Sequence, residues 1–302
     1  MAQRAIEGFS AVGQTLTIGP GITIRGGQGI IGDGFTWRRG ISVINQGTIV
    51  ADVPGQTLTI SPLGGTFANQ GMLEAPGGTL DVNNLTGNVG DAAASGGGGL
   101  DLDGTYTNDQ TLSVTNATLT LQGGWVNTGT LETTDSTVNL GGNFTLADME
   151  VFSRVGGTVS LTGTLDNRGT NLVLDAVTGG WILNGGTIVG GMVATMDGAV
   201  LEVTSNINNR LDGVTLDGDL NLLASSARVR IANGLTLNGT IALSVSGATI
   251  GIEGAQTIGG TGSIVFDGVS NGSKSYRGVF GCGPNVNNRP GHYDPGRQGH
   301  HR

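Results

Sequence analysis

TMDGAVLEVTSNINNRLDGVTLDGDLNLLASSARVRIANGLTLNGTIALSVSGATIGIEGAQTIGGTGSIVF, spanning 195–266, repeats with a period of about 20 residues. Aligned on Gly198, Gly218, Gly239 and Gly260, it carries Thr195, Thr215, Thr236 and Thr257 three places earlier, and Met196, Leu216, Leu237 and Ile258 two places earlier. Asp197, Asp217, Asn238 and Gly259 stand just before the glycines. Strand-forming and turn-forming residues that return at a fixed period of this length mark a solenoid. In GLTLNGTIAL, residues 234 to 243, Leu235, Leu237, Ile241 and Leu243 alternate with Thr236, Thr240 and Ala242. Alternation with period two gives each strand one aliphatic and one polar face. Asn238-Gly239 and its equivalents read as tight turns with positive φ. A strand this short cannot bury its aliphatic face alone, so the coils must stack and share a core at a spacing of about 4.8 Å. The expected fold is all-β, a right-handed parallel β-helix with coils of about 20 residues.

Weaker signatures extend the repeat upstream. Asn stands two residues before Gly in INQGTI, ANQGML, VNTGTL and DNRGT, at Asn45, Asn69, Asn127 and Asn167. Successive members of this set lie one, three and two coils apart, and TNDQTL at 107–112 fits the vacant place between the second and third, with Gln110 in place of the glycine. TLT recurs at 15–17, 57–59 and 118–120. These signatures predict a lead-in or cap over residues 1–11, a solenoid over 12–268 with roughly a dozen coils and a length of roughly 60 Å, and a basic tail over 269–302. DAAASGGGG, residues 91–99, reads as a flexible loop protruding between coils.

Composition agrees with a single elongated β domain. Glycine accounts for 58 of 302 residues and charged side chains for 12%. Residues 1–272 hold nine Arg, no Lys and 22 acidic residues, a balance of −13. That body has no basic stripe with which to neutralise phosphates, and it disfavours nucleic acid and anionic membrane as partners. No apolar run is long enough to span a bilayer, and the opening stretch MAQRAIEGFSAVGQT does not read as a secretory signal. Residues 273–302 contain all three His, the sole Cys (Cys282) and the sole Lys (Lys274), without alternation; they read as disordered.

The runs INQGTIVA, LTI, FANQGMLEA, GLTLNGTIAL and GGTGSIVF resemble the β-strand-repeat proteins of bacterial surfaces, the filamentous-haemagglutinin-like and autotransporter-passenger-like adhesins. The likeness covers residues 12–268. It implies a structural or adhesive rod at the cell surface or outside the cell, with glycans, a host or neighbouring cell, or further repeats of a longer chain as partners. It brings no catalytic motif with it.

Several constellations test the alternative, a polysaccharide lyase, glycoside hydrolase or esterase on the same scaffold. GVSNG, residues 268–272, matches the G-x-S-x-G elbow around Ser270, with His292 and Asp294 downstream, but no helix pattern follows it. Carboxylates group at Asp101 and Asp103, at Asp148 and Glu150, and at Asp212, Asp217 and Asp219; Arg210, Arg228 and Arg230 lie near the last set. Paired carboxylates are the machinery of glycosidases, yet turns select Asp for conformation alone. GGQGIIGDG, residues 26–34, begins like a calcium-binding nonapeptide but has Ile31 at the ligand position. No cofactor is expected, and loop carboxylates leave room for no more than weak calcium binding. Trp37, Trp125 and Trp181 read as core or coil-end packing before sugar platforms, and the TLT pairs as skipping coils. No residue is assigned as catalytic, cofactor-binding or metal-binding.

Overall fold

The computed structural model describes residues 4–9, 13–34, 36–37 and 39–266. The chain divides into two units, residues 1–269 and 270–302, and every described residue belongs to the first. Ser270, Cys282, His292 and Asp294 lie outside the described residues, as does the tail. No α-helix occurs among the described residues; a short 3-10 turn, Ala147–Met149, is the one helical piece there. All strand ladders are parallel, and about 12 coils form a β-solenoid.

Each coil contributes to three faces. The first face runs without a break from Gly29–Ile31 through Thr57–Ile60 and Thr118–Leu121 to Ser263–Phe266. Its inward residues stack coil upon coil. Leu80, Leu100, Leu119, Val138, Val159, Trp181, Leu201, Leu220 and Ile241 form one column, each 4% exposed or less. A stacked column covers each apolar side chain from the coil below and the coil above, which no single coil achieves. The second face begins at Gln14–Ile18 and Ile41–Asn45, and the third at Thr23–Gly26 and Thr48–Ala51.

Register corrects the sequence alignment in detail. Thr215 pairs with Thr236, as the period implies, but the residue below Thr215 is Met192, not Thr195, and the residue above Thr236 is Gly259, not Thr257. Turns of unequal length absorb the difference, because only the strands are held by the ladder. Positive φ is found at three of the four turn glycines, Gly198, Gly218 and Gly260, with 82°, 152° and 103°, and one turn departs from the expectation. Neither Asn238 nor Gly239 has a positive φ; a Cβ on Gly239 would instead overlap the backbone of Gly218. Gly104, Gly123, Gly142 and Gly163 form a similar column, in which a Cβ on each of the last three would run into the carbonyl oxygen of the glycine before it. Backbone stacks on backbone at these corners, and a side chain has no room.

The segment 91–99 is not a protruding loop. Asp91–Ser95 is a strand of the third face, paired with Met72–Ala75 and with Thr111–Thr115. Ala92 stands in register with Leu73 and Leu112, and Ala94 with Ala75 and Val114; both alanines are buried. Gly96 and Gly97, with φ of 59° and 82°, make the turn. Alanine is too weakly apolar to announce an inward position by composition, so the stretch resembled a linker.

One coil is irregular. Residues 143–161 keep the first-face ladder, but Asn143–Thr145 pairs with no strand of the coil before it, and Val151–Val155 with none of the coil after it. The 3-10 turn Ala147–Met149 lies between those two strands. The second face is therefore interrupted on one side of this coil and the third face on the other.

Candidate functional site

Outward positions of the first face place polar side chains in columns. Thr57, Thr79, Thr118, Thr137 and Thr158 occupy five of six consecutive coils, with Gly99 at the sixth. Two residues along each strand, Thr59, Asp81, Asp101, Thr120, Asn139 and Ser160 form a parallel column. The threonine array is thus nearly continuous, where the TLT motif alone had indicated skipped coils: Ser and Asn occupy the second place in some coils and hide it.

The two aspartates in that column are the nearest thing to a paired-carboxylate site. Asp81 and Asp101 sit directly opposite each other on adjacent strands. Burial raises both carboxyls above the usual aspartate value, and for Asp81 the charges of Asp101 and Asp103 add to it. Hydrogen bonds from Asn83 and Thr59 to Asp81, and from Thr120 to Asp101, work in the opposite direction. Of the trio only Asp101 and Asp103 stood out in the sequence. Asp81 was detectable as the residue one coil before Asp101.

The 210–230 region assembles an ion network rather than an exposed catalytic pair. Arg210 donates through Nε to Glu253 Oε2 at 3.0 Å and through Nη1 to Asp212 Oδ2 at 2.6 Å. Arg230, directly above Arg210, is ion-paired with Glu253 at 2.8 Å, and Asn233 Nδ2 donates to Asp212 Oδ1 at 2.5 Å. Glu253 and Asp212 hold the Arg210 guanidinium above its usual value. Two cations and two anions neutralise each other across three coils, an arrangement that fastens the stack. Asp217 and Asp219 do not join them. Asp217 is exposed at a strand end, and Asp219 Oδ1 accepts from Thr240 N at 2.9 Å. Arg228 Nε donates to the Ser226 carbonyl.

The remaining candidates hold local structure. Asp148 Oδ2 accepts from Thr145 N and Oγ1 at 2.7 and 2.8 Å, closing the 3-10 turn. Glu150 follows with φ 30° and ψ −101°, a conformation that L side chains rarely adopt. Ile31 of the nonapeptide-like segment is 1% exposed and points into the core. No group of three or more His, Cys, Asp or Glu among the described residues is arranged to hold a metal ion. Trp125 Nε1 donates to Gly141 O at 2.9 Å and its ring stacks on Phe144 at 4.7 Å. Trp181 belongs to the core column. Trp37 is 52% exposed and meets Phe9 edge-on at 5.1 Å, near the amino-terminal end.

Comparison of the chain with family models, with curated proteins and with solved structures gave no match. The fold defines a parallel β-solenoid scaffold; its role rests on the surfaces just described.

Proposed function

We propose that this chain is a structural and adhesive β-solenoid segment of a bacterial cell-surface or secreted protein, binding glycan chains through weak contacts repeated along the first face. The hydroxyl column Thr57, Thr79, Thr118, Thr137 and Thr158 carries the reading. It offers short hydroxyl side chains at the strand spacing of about 4.8 Å, flanked by the amide of Asn139 and the carboxylates of Asp81 and Asp101. A polymer of hydroxylated units gains affinity on such a surface by engaging several coils at once. The acidic balance of the body favours neutral or cationic glycans over polyanions.

The test measures the full chain against one neutral polysaccharide fractionated by length. Apparent affinity should rise steeply with polymer length, while the monosaccharide fails to compete. Equal affinity per chain regardless of length would refute the multivalent reading.

A second reading, a glycan-cleaving enzyme, is favoured by one observation: Asp81 and Asp101 face each other across a strand spacing of about 4.8 Å, near the carboxyl separation of about 5–5.5 Å in retaining glycosidases. Turnover of a glycan that disappears in Asp101→Asn, with an undiminished melting temperature, would establish that reading and displace the adhesive one.

A further inference from the structure

The interruption of the third face leaves a cleft. Val151–Val155 is paired on one side only, with Thr130–Thr134, and Asn171–Leu174 on one side only, with Met192–Thr195. Between them lies a cavity of about 300 Å³, lined by Leu146, Phe152, Leu172, Leu174, Val177 and Trp181 among others. In the coils on either side the ladder closes the corresponding space. Small-molecule sites are concave, mostly apolar, about 300–1,000 Å³ in volume and fitted with few polar groups; this cleft meets each criterion.

Its polar equipment is specific. Arg154 reaches across the interruption, donating through Nε to Gly156 O at 2.9 Å, through Nη2 to Gly157 O at 2.7 Å, and through Nη1 to Thr178 O and Gly180 O at 3.3 and 3.0 Å. Every one of these acceptors is a neutral carbonyl. Glu150 lines the same cleft and Glu202 lines the groove on the other side of Arg154, yet among the described residues neither is ion-paired with it. Desolvation lowers the Arg154 value from the ordinary guanidinium range, with no carboxylate offsetting it. A partly desolvated cation held in place by carbonyls is charge-complementary to an anion that brings its own carboxylate. The strained backbone at Glu150, on the cleft wall, is a feature that concentrates at ligand sites.

We propose that this cleft binds a small amphipathic carboxylate, its apolar chain between Phe152, Leu172, Val177 and Trp181 and its carboxylate against the Arg154 guanidinium. The site is separate from the hydroxyl face and does not depend on the adhesive reading. The alternative occupant is an extended peptide that pairs with the open edges of Val151–Val155 and Asn171–Leu174. Arg154 decides against it, because its side chain already ties the two coils across that opening.

The experiment titrates the full chain with octanoate, octanol and octyltrimethylammonium by calorimetry. Octanoate is expected to bind saturably and at least tenfold more tightly than either analogue. Arg154→Gln should weaken octanoate at least tenfold while leaving octanol binding unchanged; Glu150→Gln should strengthen it by removing like charge. Arg154→Gln also removes bonds between coils. Val177→Trp at the exposed rim therefore provides a second variant, expected to reduce binding by narrowing the cleft without touching the ladder. Equal binding of octanoate and octanol would overturn the proposal, as would undiminished binding in Val177→Trp. Binding of an end-blocked apolar peptide where octanoate fails would overturn it in favour of a strand partner.

Discussion

The side-chain nitrogen of Asn108 donates to Oδ1 of Asn127 at 2.6 Å, one coil further along the solenoid, and both residues are buried. Asn45 and Asn69 are joined in the same way at 2.8 Å. Between these two rungs the ladder is broken. Asn88 pairs with Thr107, so the residue beside Asn108 in the preceding coil is Val89. Asn69 then turns its Nδ2 to the Val89 carbonyl at 2.7 Å, and Asn108 Oδ1, buried, accepts no hydrogen bond from a described residue.

Val89→Asn should therefore stabilise the protein, against the usual sign for placing a polar side chain in a core. The new amide accepts from Asn69 and donates to Asn108 Oδ1, relieving an unsatisfied acceptor worth about 1–3 kcal/mol. A raised denaturation midpoint with an unchanged denaturant slope is the expected result; a lowered midpoint would mean that the apolar packing of Val89 outweighs the completed ladder.

Neighbouring glycines make a sharp steric comparison. Gly123 has φ 73° and no space for a Cβ beneath the Gly104 carbonyl, whereas Gly124 has open space and no positive φ. Gly123→Ala should destabilise by several kcal/mol and Gly124→Ala by less than about 0.5 kcal/mol. Thermal melts of the two variants check this directly.

Stability should respond to pH through Asp81 and Asp101. Their carboxyls are raised in the folded protein, so the folded state holds protons that the unfolded chain releases, and stability falls as pH rises through that window. The penalty is absent below the unfolded aspartate value and complete above the raised folded values. Asp101→Asn should accordingly melt higher than the parent at pH 7, by on the order of 2 °C, and lose this advantage towards pH 3. An advantage equal at both pH values would show that the cause is not ionisation.

Leu237→Asp should be far more damaging than Asp217→Ala. Leu237 is 3% exposed in the shared core, where an unpaired carboxylate costs several kcal/mol. Asp217 is exposed at a strand end, and its removal should shift the melting temperature by no more than about 1–2 °C. Expression, circular dichroism and melting of the two proteins provide the check.

Alternation in segments such as GLTLNGTIAL, together with the returning Asn-x-Gly corners, determined by themselves that the chain stacks short strands in parallel. Asn108 was legible too, although Gln110 stands where the other corners have glycine, because its amide recurs about one coil before Asn127. Which residues lie above one another is settled by the packing of coil on coil. Strand length is fixed by the core, but turn length is free, so Thr195 and Thr215 share a period and not a rung. The same freedom concealed the Asp81–Asp101 pair, the Arg210–Glu253 contact spanning two coils, and the strand Asp91–Ser95, in which Ala92 stands between Leu73 and Leu112 and Ala94 between Ala75 and Val114. The opening beside Arg154 has no sequence signal of its own. It exists because Val151–Val155 and Asn171–Leu174, on successive coils of the third face, do not pair with each other.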